Sequence, residues 1–104
     1  MTIPGLPEDA SRQVLEAISA EPRVQKVVLY GSRALGRHRS GSDVDLCLTA
    51  PDLSLGELLE LGARLDDLLR PWSIDLQLDH LIDHAGLREH IERAGRVVWE
   101  RELS

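Results

Sequence analysis

Apolar positions along the chain change period several times, and each change marks an element boundary. From Glu8 to Ala20 they recur at helical spacing, with Ala10, Val14, Ala17 and Ile18 on one face, Pro7 at the start and Pro22 as the stop. Val24 to Tyr30 is a nearly continuous apolar run that predicts a mostly buried strand. Ser32 to Gly36 predicts a short helical turn, and Asp43 to Thr49 a second strand whose Val44, Leu46 and Leu48 point into the core. A longer helix is predicted over Leu53–Leu69: Ser54-x-x-Glu57 has the form of a capping box, and Leu55, Leu58, Leu59, Leu65 and Leu69 keep helical spacing. Gly62 in its middle weakens the helix. Ile74 to Leu78 alternates strictly, as a third strand would, and Ala85 to Ala94 predicts a helix closed by Gly95. Val97 to Trp99 forms a short terminal strand.

The resulting order predicts an α/β (α+β) fold, a mixed sheet built on an α-β-α-β-α-β core with helices packed on it. A loop joins the first two strands, so they run antiparallel; a helix separates the second from the third, which permits a parallel crossover. At 104 residues the expected organisation is one domain spanning 1–104, with no repeat, low-complexity tract or linker.

Composition narrows the function. Leucine supplies most of the core, since there is no Phe and the aromatics are Tyr30, Trp72 and Trp99. A formal charge of −6 argues against direct nucleic-acid binding, which needs a basic surface. Positive charge is nevertheless concentrated locally, in Arg33, Arg37, His38 and Arg39. Cys47, alone in its strand, has no internal disulfide partner and is expected to be a buried thiol in a reducing compartment. Met1 to Pro7 lacks the pattern of a signal peptide and no apolar run approaches membrane-spanning length, so the cytoplasm is the expected location, with no membrane contact.

The chemistry gathers between residues 31 and 46. The first strand empties into a Gly31-Ser32 turn whose backbone N–H groups suit an anion. Asp43-x-Asp45 then opens the second strand, and alternation places both carboxylates on one face. Two neighbouring carboxylates repel each other unless a cation lies between them, and hard oxygen ligands beside phosphate suit Mg²⁺. If the second and third strands are parallel neighbours, Asp75 approaches Asp43 and Asp45 from the matching strand end. Asp79 shares its face but lies about 13 Å further along at roughly 3.3 Å per residue, too far to hold the same ion. Three carboxylates with an anion cradle can serve two metal ions in nucleotidyl transfer, with Asp75 also placed to accept the proton of an attacking hydroxyl. Arg33 and Ser42 are further candidates for phosphate contact, Ser42 equally a turn residue that shapes the approach to Asp43. Arg37 and Arg39 are expected to be solvated loop charges, and His80 and His84, four apart, surface histidines rather than a metal pair. Tyr30, Trp72 and Trp99 fit core packing better than adenine stacking, although Trp99 could anchor a partner.

Gly31-Ser32, ten residues, then Asp43-Val44-Asp45-Leu46 resembles the signature of the polymerase-beta-like nucleotidyltransferases. The fuller text GSRALG…RSGSDVDL, the strand with Asp75, and the closing stretch from Leu87 to Val98 are similar to its minimal nucleotidyltransferase (MNT) branch. The resemblance implies that fold and a Mg²⁺-dependent transfer of AMP from ATP to a hydroxyl, releasing pyrophosphate. It implies that Gly31 and Ser32 hold the triphosphate, that Asp43 and Asp45 bind metal, and that Asp75 is the third ligand or base. In that branch the partner is often a helical HEPN-type toxin whose tyrosine is modified, the transferase acting as antitoxin of a type VII pair. A second copy of the chain is another partner this reading admits. Two alternatives remain at this stage: adenylylation of a small hydroxylated molecule such as an antibiotic, and a non-catalytic module that silences its partner by binding.

Overall fold

The computed structural model describes residues 3–39 and 41–102; Ser40, inside the motif quoted above, lies outside them. The elements run α1 (Glu8–Ser19), β1 (Lys26–Tyr30), β2 (Val44–Thr49), α2 (Leu55–Leu68), β3 (Ile74–Leu78), a 3-10 turn at Asp79–Leu81, α3 (Ala85–Ala94) and β4 (Arg96–Glu100). The expected order therefore holds, with ends moved by one or two residues. Ser32–Gly36 is the exception. It forms a run of turns, closed by Arg37 N–H donating to Ser32 O at 2.8 Å and Leu35 N–H to Gly31 O at 3.3 Å, not a helix.

The four strands form one mixed sheet in the order β3-β2-β1-β4. β1 pairs antiparallel with β2 and β4, and β2 pairs parallel with β3 from Val44↔Ile74 onward. Alternation gives the sheet two unlike faces. Val27, Leu29, Val44, Leu46, Leu48, Ile74 and Leu78 belong to a core that α1 and α2 complete through Val14, Ile18, Leu58, Leu61 and Leu65. The opposite face carries Tyr30, Asp45, Cys47 and Asp75, and α3 lies over part of it. A bulge at Val27/Val28 shifts the β1–β4 register, and Val98, inside that shift, is buried in the core.

Two helices correct the sequence reading in detail. In α2 the Ser54–Glu57 capping box forms in both directions. The buried stripe, however, is Leu58, Leu61 and Leu65, while Leu55 and Leu59 are 55% and 65% exposed. A helix this rich in leucine offers more than one apolar stripe, and contact with the sheet selects between them. Gly95 does follow α3, but its φ of −65° is open to any residue. Its constraint is space: an added Cβ would lie 2.7 Å from Val28 Cγ1.

Candidate functional site

The parallel register of β2 and β3 sets Asp45 directly opposite Asp75, and the antiparallel register of β1 and β2 sets Tyr30 opposite Asp45. Tyr30, Asp45 and Asp75 thus form one row across three strands. Asp79, the alternative third carboxylate, lies beyond the end of β3 and pairs with Arg88 at 3.4 Å. Asp43 stands one residue ahead of β2 and is exposed.

This row is electrostatically unfavourable. Burial, helped by the charges of Asp75 and Asp43, pushes the Asp45 carboxyl up to about 6, against the opposing pull of Arg33. Burial, then the charges of Asp75 and Asp45, raise the Tyr30 phenol well above its ordinary range. Perturbed groups clustered on one face are a mark of functional sites.

At the end of β1 the chain turns at Gly31, whose φ of +77° is left-handed. Any side chain there would collide with Asp45 Oδ2, so the turn rests against the carboxylate. Gly31 N–H donates to His90 Nε2 of α3 at 3.0 Å, and the imidazole meets the Tyr30 ring edge-on, with centroids 6.1 Å apart. Among the described residues no protein acceptor takes the N–H of the neighbouring Ser32.

Arg33 is buried at 3% exposure. Its Nη1 donates to Pro4 O at 2.6 Å and its Nη2 to Ser42 O at 2.7 Å. Burial lowers its pKa, opposed by the charges of Asp45 and Asp43. The guanidinium therefore clasps the loop from behind the aspartates and is not presented to solvent. The Ser42 hydroxyl accepts from Arg39 N–H at 2.8 Å and closes the same loop. Of the candidates, Gly31, Ser32, Asp45 and Asp75 come together with Asp43 nearby, whereas the side chains of Arg33 and Ser42 shape the loop.

His90 was not singled out by sequence reasoning, because a histidine on a helix 59 residues from the turn carries no spacing signal. His84, considered with His80, accepts Leu87 N–H through Nδ1 at 3.0 Å and so caps α3. Cys47 is buried as expected.

The donor set suits a hard divalent cation: facing carboxylates, one of them raised by burial and then by its neighbours' charge, beside a turn whose Ser32 N–H has no protein acceptor among the described residues. Among the described residues no three His, Cys, Asp or Glu side chains form a ligand cluster by themselves. Mg²⁺ commonly takes one or two carboxylates and completes its shell with phosphate and water. Beside Asp75, a groove of about 260 Å³ runs between α2 and the open edge of β3, bordered by Leu59, Gly62, Ala63 and Leu76. Among the described residues no helix is long and apolar enough to cross a membrane.

The class the fold defines is an α/β domain whose mixed sheet brings acidic residues of two parallel strands under a glycine turn. The family model for polymerase beta, nucleotidyltransferase, matches residues 12–103, and the chain belongs to that family. Among solved structures the chain is similar to a toxin–antitoxin crystallised with AMP-PNP, at 24% identity and a TM-score of 0.73, covering 93% of this chain and 76% of that one. It is also similar to the MntA–HepT toxin–antitoxin, at 20% identity and a TM-score of 0.71, covering 91% and 74%. A third similar structure is the tri-AMPylated Shewanella oneidensis HEPN toxin in complex with MNT antitoxin, at 20% identity, a TM-score of 0.69, and 90% and 72% coverage. At these identities the likeness shows the fold. No curated relative matches by sequence.

Proposed function

We propose that this chain transfers AMP from ATP to a protein hydroxyl, with a tyrosine of a HEPN-type toxin as acceptor, and so acts as the antitoxin of the pair. The observation that carries the reading is the pairing of Asp45 with Asp75 across β2 and β3 beneath the Gly31–Ser32 turn. The similar structures support it, since one is described with AMP-PNP and another contains an AMPylated HEPN toxin with its MNT antitoxin.

In this reading Asp43, Asp45 and Asp75 would hold two Mg²⁺ ions, which would supply charge neutralisation at the phosphates. The Ser32 hydroxyl and turn N–H groups orient the triphosphate. Asp75 takes the proton of the acceptor hydroxyl as its oxygen bonds to the α-phosphorus and the bond to pyrophosphate breaks. Phosphoryl-type transfer asks the protein chiefly for position and electrostatics, which a rigid strand pair provides.

The test is to incubate the full chain with ATP, Mg²⁺ and a HEPN-type toxin, then map adducts by mass spectrometry. AMP on a toxin tyrosine is expected with the wild type and none with Asp43→Asn. An unmodified toxin in the wild-type reaction refutes the transfer. Neutralisation of the toxin in cells by Asp43→Asn, without adduct, makes binding alone the mechanism.

A further inference from the structure

We propose that His90 is a positioning residue that anchors the Gly31–Ser32 turn over Asp45 through the hydrogen bond from Gly31 N–H to its Nε2. The proposal rests on the reading of that turn as the phosphate-binding element.

Three contacts carry it. First, α3 is tied at its start to the turn that follows β3 and packs at its end against β1. Near its start, Arg88 Nη2 donates to Asp79 O at 2.7 Å and to Ile82 O at 3.1 Å. At its end Gly95 lies so close to Val28 that a side chain would displace one of them. The helix thus presents His90 from a rigid support. Second, the ring is oriented by its edge-on contact with Tyr30, at an interplanar angle of 74°. Third, the N–H it accepts belongs to a residue with no side chain of its own to fix it, in a left-handed conformation, packed on Asp45 Oδ2.

The acceptor nitrogen bears no proton in this contact, so the ring takes part as the Nδ1–H tautomer. By holding the Gly31 peptide plane, His90 sets the direction of the next N–H and of the Ser32 hydroxyl relative to the Asp45–Asp75 pair. Without an acceptor, the Gly31 N–H is left to seek water or the nucleotide, and the turn loses its fixed register on β2. His90 itself need touch neither phosphate nor acceptor.

The experiment compares the full chain with His90→Leu, which removes the acceptor, and His90→Gln, which restores one through its amide oxygen. Amide hydrogen exchange at Gly31 is followed by NMR, and Mg²⁺–AMP-PNP binding by calorimetry. A hydrogen bond of about 1 kcal/mol corresponds to a factor of about five. His90→Leu is therefore expected to speed Gly31 exchange and raise the AMP-PNP Kd by about fivefold each, while His90→Gln stays within about twofold of wild type. Unchanged Gly31 exchange or unchanged affinity in His90→Leu overturns the proposal. So does an equal loss in His90→Gln with the remaining amides undisturbed, which would make ring volume the cause. If the wild type fails to bind AMP-PNP, the nucleotide reading falls and the proposal with it, and the Gly31 exchange data then show separately whether the anchor exists.

Discussion

Asp45→Asn should make the metal-free protein more stable at neutral pH while removing its proposed chemistry. The Asp45 carboxyl is pushed up to about 6 in the folded chain. Unfolded, an aspartate titrates near 3.9, so the folded state binds this proton more tightly by about two pH units. At about 1.36 kcal/mol per unit the ceiling is ~3 kcal/mol, and residual solvent contact reduces the expected effect to about 1–2 kcal/mol. The sign follows from proton linkage. Between about pH 4 and 6 the folded state holds more protons than the unfolded one, so stability from this group is complete below 4 and is lost as pH rises through 6. Asn resembles the protonated acid and has no charge to desolvate. The variant should therefore exceed wild type by about 1–2 kcal/mol at pH 7.5, roughly 5–15 °C in Tm for a domain of this size, with the difference shrinking toward pH 4. Urea denaturation followed by circular dichroism, with chelator present and at several pH values, measures this directly. Taking the difference between variant and wild type cancels the carboxylates remote from Asp45 and leaves its own titration together with its coupling to Asp75 and Asp43. A variant less stable at pH 7.5, or a difference that does not change with pH, refutes the account of Asp45 as a strained charge.

Two further outcomes test the frame around the site. Gly31→Ala must place a Cβ against Asp45 Oδ2 at a left-handed φ, so it should lose about 1–2 kcal/mol or more in denaturant melts and disturb the turn; wild-type stability in that variant would show that the packing on Asp45 is wrong. Leu65→Ala should cost about 2–5 kcal/mol because Leu65 is fully buried, whereas Leu59→Ala, at a position 65% exposed, should stay within about 0.5 kcal/mol; the reverse order in melts would put the wrong stripe of α2 against the sheet.

What the sequence disclosed depended on whether the signal was local. Period-two alternation in β2 and β3 and the loop-versus-helix connections were enough to anticipate which strands pair parallel, and hence the Asp45–Asp75 juxtaposition over Asp79. The capping box at Ser54 was likewise readable, since both partners sit within four residues. The stripe of α2 was not, because leucines at 55, 58, 59, 61, 65, 68 and 69 satisfy several helical phases and only tertiary contact selects one. Arg33 looked like a phosphate ligand from its neighbours in sequence, yet its donors reach carbonyls at positions 4 and 42 that no short window contains. His90 fails for the same reason. Its meaning lies in a hydrogen bond across 59 residues.

Charge also explains why a domain of net charge −6 can be read as handling a polyanion. At physiological ionic strength the screening length is about 8 Å, so remote surface carboxylates contribute little at the turn and the local groups decide. Among the described residues, the buried cation near Asp43, Asp45 and Asp75 is Arg33, whose charge opposes the rise of the Asp45 pKa without cancelling it. Arg37 and Arg39 add positive charge on the exposed loop, where solvent weakens it. A triphosphate approaching alone would thus meet net negative charge at the carboxylates, and the turn N–H groups would not offset it. A divalent cation arriving with the nucleotide would reverse that balance and would relieve the repulsion along the row at the same time. The raised carboxyl of Asp45 and the demand for a metal in the proposed reaction are therefore two consequences of one arrangement: acids placed opposite each other on adjacent strands, with Gly31 closing the space above them.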